Sequence, residues 1–209
     1  MDIKDEIRKL ARKHANKLNE KVTDRIKEME SDENEQFLVY KVLGLKDKKD
    51  EINIDIYQNK GRLVYNHAGT FMEEATRLCF IYKFGKNNVV KKKIPNTLAK
   101  TPKTYEIDCL VNDKDANEIK WRDATTDGDH VLKEKQRLKV IKQAGYKPIR
   151  IMFFKPNRKQ AKKIQKKLEE LYKSLDGSYY AGNEAFKYIK DYTGIDLKKI
   201  LEEIAIERK

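Results

Sequence analysis

One stretch constrains the fold more than any other: YEIDCLVNDKDANEIKW, residues 105–121. Two short apolar runs flank a polar, turn-forming segment, which predicts strands over 105–112 and 116–121 joined around 112–117. Side chains alternate across a strand. Tyr105, Ile107, Cys109 and Val111 are therefore expected on one face and Glu106, Asp108 and Leu110 on the other. On the second strand Glu118 and Lys120 share a face, with Ile119 and Trp121 opposite. Pairing the strands brings Asp108 to Glu118 and Lys120. Two acids and an ammonium on an apolar scaffold are costly to bury together unless something binds them.

The rest of the chain supplies helices and further strands. Ile3, Ile7, Leu10, Ala11, Leu18, Val22, Ile26 and Met29 are spaced for an N-terminal helix with a charged opposite face. ESDENEQ (30–36) reads as a connection. FLVYKVLG (37–44) and EINIDIYQ (51–58) read as strands, the second because Ile52, Ile54 and Ile56 alternate with polar residues or Tyr57. A helix is expected over 67–85, with Phe71, Ala75, Leu78, Cys79 and Tyr82 on its buried face, followed by a basic loop, VVKKKIP (89–95). TTDGDHVLKEKQRLKVIKQAG (125–145) reads as a helix, with Thr126 and Asp129 at capping-box spacing and Gly145 as its stop. KPIRIMFF (147–154) is an interior strand. Pro156 opens an amphipathic helix through Ala161, Ile164, Leu168 and Leu171. The tail from 178 reads as helical and aromatic-rich, with Thr193 and Asp196 again at capping-box spacing. The sum is an α/β fold around a mixed central sheet flanked by helices, with N- and C-terminal helical additions. Residues 1–209 are read as one domain: a helical extension to residue 30, a core over 60–155 and a helical region over 156–209.

Composition narrows the partners. Lys and Arg number 47 against 34 Asp and Glu, a formal charge of +13, which favours a polyanion, nucleic acid or an acidic membrane surface. Cys79 and Cys109 are the two cysteines, too few for a disulfide framework and placed as small core residues. No apolar run spans a bilayer and no signal pattern opens the chain, so a cytoplasmic protein without a membrane partner is expected. The three His residues lie far apart in sequence and no CxxC occurs, which argues against structural zinc.

The Asp108, Glu118 and Lys120 constellation suits metal-dependent phosphodiester hydrolysis. Carboxylates are hard ligands for Mg²⁺, which keeps several waters and needs few protein groups. A bound metal acidifies a water and neutralises charge on phosphate oxygens, and Lys120 would orient the attacking water. An acidic residue, a spacer and then Glu118-Ile119-Lys120 resembles the PD-(D/E)xK nuclease superfamily. That resemblance implies a helical acid assisting the metal, a place open to Glu73 or Glu74 in GTFMEEATRL, and a metal set of Asp108, Glu118, Ile119 and Glu73. Ile107 stands where the superfamily often has proline. Residues from about 60 onward, with KWRDATTDGDH as the most specific part, look like ApaLI-type restriction endonucleases. The likeness implies Mg²⁺-dependent cleavage of double-stranded DNA at a short palindrome, leaving 5′-phosphate ends.

DNA contacts are expected from Arg122, Thr125, Thr126, Asp129 and His130 in the connection after the second strand. Lys133, Lys135, Arg137, Lys139 and Lys142 are expected to form a basic helix face, from which Lys133 and Arg137 would also touch DNA. A palindromic target implies a two-fold homodimer. Three alternatives stand beside this one: another nuclease on the same fold, repairing DNA or resolving junctions; a nucleic-acid-binding protein whose carboxylates are structural; and a basic protein with membrane or protein partners.

Overall fold

The computed structural model describes residues 2–30, 37–44 and 48–208. The connection expected over 30–36 lies, from residue 31 onward, outside them. Two compact units are present, one of Met1–Ile7 with Met72–Lys209 and the other of Arg8–Phe71.

The smaller unit is helical. Helix α1 spans Ile3–Glu30, α2 Phe37–Val42 and α3 Lys48–Phe84. Both strands expected before residue 60 are thus helices. Within α3 the less exposed positions include Ile52, Ile56, Asn59, Leu63 and His67, a stripe at helical spacing. The alternation of Ile52, Ile54 and Ile56 is the part of that stripe a six-residue window catches. Tyr40 donates to Asp55 Oδ1 at 3.0 Å, and the His14 ring meets those of His67 and Phe71 edge-on at 5.9 and 5.8 Å.

The larger unit carries a five-stranded mixed sheet in the order β1-β2-β3-β4-β5. The strands are β1 (Val89–Pro95), β2 (Thr104–Val111), β3 (Asp115–Arg122), β4 (Lys147–Phe154) and β5 (Ser178–Ala181). The first three pair antiparallel, and β3, β4 and β5 run parallel. Helix α4 (Asp129–Gln143) connects β3 to β4, and α5 (Lys159–Ser174) connects β4 to β5, as parallel neighbours require. Helices α6 (Asn183–Thr193) and α7 (Leu197–Ile206) close the chain.

Two expectations about strands change. VVKKKIP is an edge strand, β1, in which Val89 and Ile94 are buried on either side of Lys91, Lys92 and Lys93. SYYA, placed in the helical tail, is β5. The expected helix faces also shift. In the Met72–Phe84 part of α3 the buried side chains are Met72, Ala75, Thr76, Cys79 and Phe80, while Tyr82 is exposed. Asp127, rather than Thr126, satisfies the start of α4, accepting from the Asp129 amide at 2.9 Å. Asp196 caps α7 through the Lys199 amide at 3.1 Å. Helix α5 begins at Lys159, three residues after Pro156.

Helices α4 and α5 cover one face of the sheet. Leu138, Val140 and Ile141 of α4 and Tyr172 of α5 share a core with Ile94, Ile107, Leu110 and Ala116. Ala161, Ile164, Leu168 and Tyr172 of α5 are buried at helical spacing. On the other face Phe186 of α6 packs on Phe153 with ring centres 4.8 Å apart, and Phe80 of α3 meets Tyr192 at 5.7 Å. Strand β4 is buried on both faces except at its ends, which is why it reads as an apolar run interrupted between its ends only by Arg150.

Candidate active site

The β2–β3 hairpin closes through Asn112, Asp113 and Lys114. Asn112 and Asp113 both have positive φ, at 54° and 50°, a conformation Asn and Asp tolerate better than most residues. The Lys114 amide donates to the Val111 carbonyl at 3.1 Å. The ladder pairs Val111 with Asp115, Leu110 with Ala116 and Cys109 with Asn117. Beyond it, Asp108 Oδ2 accepts from the Ile119 amide at 2.9 Å. A side-chain carboxylate has taken over a main-chain donor where the ladder stops.

A bulge re-aims β2 at the same point. Val90 of β1 pairs with Leu110 and Lys92 with Ile107, so Asp108 and Cys109 together face the single residue Lys91. Simple alternation therefore fails between 107 and 110. Ile107 and Leu110, expected on opposite faces, enter one core cluster.

Asp108, Glu118 and Lys120 do converge. Lys120 Nζ lies 2.7 Å from Glu118 Oε1, and Arg137 Nη2 donates to Glu118 Oε2. Burial and the neighbouring Glu118 charge raise the Asp108 pKa above the ordinary aspartate range, against the opposing pull of Lys120 and the Ile119 amide. Burial also disfavours the Glu118 charge, but Arg137 and Lys120 outweigh it and hold that carboxyl low. For Lys120, Glu118 and Asp108 overcome burial and raise the ammonium pKa. The physics is that of an acid left over after its neighbours have paired.

Glu73 of α3 is held by Lys91 Nζ at 2.6 Å, and its charge adds to those that raise the Asp108 pKa. Glu74 sits one position round the helix, half-buried. Among the described residues no three His, Cys, Asp or Glu side chains form a metal cage. The hard donors available are the Asp108 and Glu118 carboxylates and the Ile119 main-chain carbonyl. So small a set suits an ion that retains much of its hydration, and a cation there would offset the burial and the Glu118 charge that disfavour ionised Asp108.

The segment after β3 is a run of local side-chain bonds. Asp123 Oδ1 accepts from the Thr125 amide at 3.1 Å, Thr125 Oγ1 from the Asp127 amide at 3.3 Å, and Asp127 Oδ1 from the Asp129 amide. Arg122 ends β3, and Thr126 and Asp129 are exposed. His130 Nε2 lies 3.3 Å from Asp123 Oδ2, within ion-pair reach, without hydrogen-bond alignment. Lys133, Lys135, Lys139 and Lys142 are exposed on α4, Lys133 standing 3.7 Å from Asp127. Arg137 differs from that basic face: its side chain is 11% exposed and turns inward onto Glu118 and Glu134.

Sequence reasoning missed Lys91, Asp123, Glu134 and Arg150. Arg150 has 1% of its side chain exposed and pairs with Asp123 Oδ2 and, at 3.6 Å, with Glu134 Oε1. The signal was a single Arg in an otherwise apolar strand, since a buried guanidinium requires buried acids. Lys91 was hidden by the assignment of its segment to a loop.

No curated protein and no solved structure matches the chain. A profile of one family, described as ApaLI-like restriction endonuclease, matches residues 1–206. That range reaches well before residue 60, where the likeness was expected to begin, and takes in the N-terminal helices. The chain belongs to the ApaLI-like restriction endonuclease family.

Proposed function

We propose that this protein is a type II restriction endonuclease that hydrolyses both strands of duplex DNA at a short palindrome, with Mg²⁺, leaving 5′-phosphate ends. The observation that carries the reading is the meeting of Asp108, Glu118 and Lys120 where the β2–β3 ladder gives way. Asp108 and Glu118 would hold the metal with the Ile119 carbonyl, and Glu73 would assist from α3. Bound Mg²⁺ supplies an acidified water and charge neutralisation at the phosphate. Lys120 orients the attacking water and offsets carboxylate repulsion of the phosphodiester. The Ile119 amide keeps the Asp108 carboxyl turned to the site.

DNA contacts are assigned to Arg122, Thr125, Thr126, Asp129, His130 and Lys133, on the segment that leads from β3 into α4. The chain acts as a single nuclease domain and a cytoplasmic homodimer, because a two-fold assembly presents one such centre to each strand of a palindrome.

Digestion of a sequenced plasmid tests the reading. With Mg²⁺ the expected product is a set of discrete fragments sharing one terminal sequence and ligatable without kinase treatment, and EDTA should abolish it. Smears or preference for branched DNA would indicate another nuclease. Retarded but uncut DNA with every divalent metal would indicate a binding protein.

A further inference from the structure

Five charged side chains form one buried chain beside the site. Glu118 of β3 meets Arg137 of α4, and Arg137 Nη1 lies 3.3 Å from Glu134 Oε1. The same Glu134 oxygen lies 3.6 Å from Arg150 Nη1 on β4 and accepts from Tyr172 OH at 2.6 Å. Arg150 Nη2 then pairs with Asp123, directly after β3. Arg137 Nη2 also donates to the Glu106 carbonyl at 3.1 Å, tying the same guanidinium to β2. None of these five side chains is more than 11% exposed.

As a source of stability this arrangement is poor. Removing five charges from water costs about as much as their mutual attraction returns, and well-packed apolar residues of equal volume often do as well. What the network does supply is geometry. Glu118 has two oxygens with different partners: Oε2 is claimed by Arg137, rooted in Glu134 and Arg150, while Oε1 faces the half-exposed Lys120. A guanidinium anchored by a second acid holds the carboxylate oxygen it meets more rigidly than a flexible ammonium can.

We propose that Arg137 is a positioning residue. By holding Glu118 Oε2 it leaves Oε1, which Lys120 Nζ meets from one side at 2.7 Å, as the oxygen a divalent cation would share, and Glu134 and Arg150 lock that orientation to the segment beginning at Asp123. The inference rests on the reading of Glu118 as a metal ligand.

Its test measures Mn²⁺ binding by electron paramagnetic resonance on the full chain without DNA, so that cleavage is not the only readout. Two variants keep the net charge: Arg137→Lys, and the double replacement Arg137→Met with Glu134→Gln. Thermal melts establish folding, and Arg137→Lys decides if the double variant does not fold. Lost outer partners of metal ligands typically cost about 10–100-fold in affinity. A loss in that range is expected for the double variant, with a smaller one for Arg137→Lys. Unchanged Mn²⁺ affinity in the folded variants, together with a loss in Glu118→Gln, would overturn the positioning role and leave the metal reading standing. Wild-type Mn²⁺ affinity in Glu118→Gln would overturn both.

Discussion

Asp123 shows how a single residue here depends on its surroundings. Burial opposes its charge, but the His130 ring, the Arg150 guanidinium and the Thr125 amide together outweigh burial and hold the carboxyl far below the usual aspartate range. A folded-state pKa depressed in this way contributes stability above the unfolded value, near 4, and that contribution is lost as pH falls through the folded value. Asp123→Asn leaves Arg150 buried beside a neutral amide, which should cost about 3–5 kcal/mol at neutral pH. Denaturant titrations of both proteins across pH should show the largest gap above the ordinary aspartate pKa and a narrowing gap below it. A gap that widens on acidification would contradict the assignment. Thr125 and His130 lie close to Asp123 in the chain, but its pairing with Arg150, and that of Arg150 with Glu134, was not visible in the chain order, because the three come from a connection, a strand and a helix. The local pattern signalled only that Arg150 had to be neutralised somewhere.

At the scale of elements, legibility followed burial. KPIRIMFF is a strand over the residues expected, because between its ends it is apolar apart from Arg150, as a strand buried on both faces must nearly be. Strands β2 and β3 were placed to within a residue or so, since the apolar runs and the turn between them agree. The bulge at Asp108 and Cys109 was not legible: it depends on how β2 pairs with β1, and β1 had been dissolved into a loop by its three lysines. EINIDIYQ failed for a different reason, as its period can be measured only over the 37 residues of α3. A tight junction yields an independent prediction. At Gly177, between α5 and β5, an added methyl carbon would stand 2.6 Å from the Pro148 carbonyl oxygen and 3.0 Å from that of Tyr172. Both obstacles are main chain, so Gly177→Ala should destabilise by about 1–3 kcal/mol, the range for overpacking. Chemical denaturation would measure it, and a neutral result would mean that the turn can shift at little cost.

At the scale of the whole molecule, the surplus of 13 positive charges is the property that composition made plainest, and the family supplies DNA as its partner. No helix among the described residues is long and apolar enough to cross a membrane. Duplex affinity measured without cleavage should fall steeply with salt, by roughly 10³-fold or more between about 50 and 200 mM if at least six phosphates are contacted. A flat salt response would mean that the basic surface does not lie along DNA. Sedimentation should give a species of twice the 24.7 kDa chain mass, and a monomer bound to its target would remove the two-fold argument. The measurement closest to the centre of the account is the single-turnover cleavage rate of Lys120→Ala beside the wild type, on one plasmid in Mg²⁺. Removal of one group that stabilises charge in the transition state typically costs about 10²–10³-fold in rate. A loss of that order with duplex affinity retained is expected, whereas wild-type cutting by Lys120→Ala would contradict a role for Lys120 in cleavage.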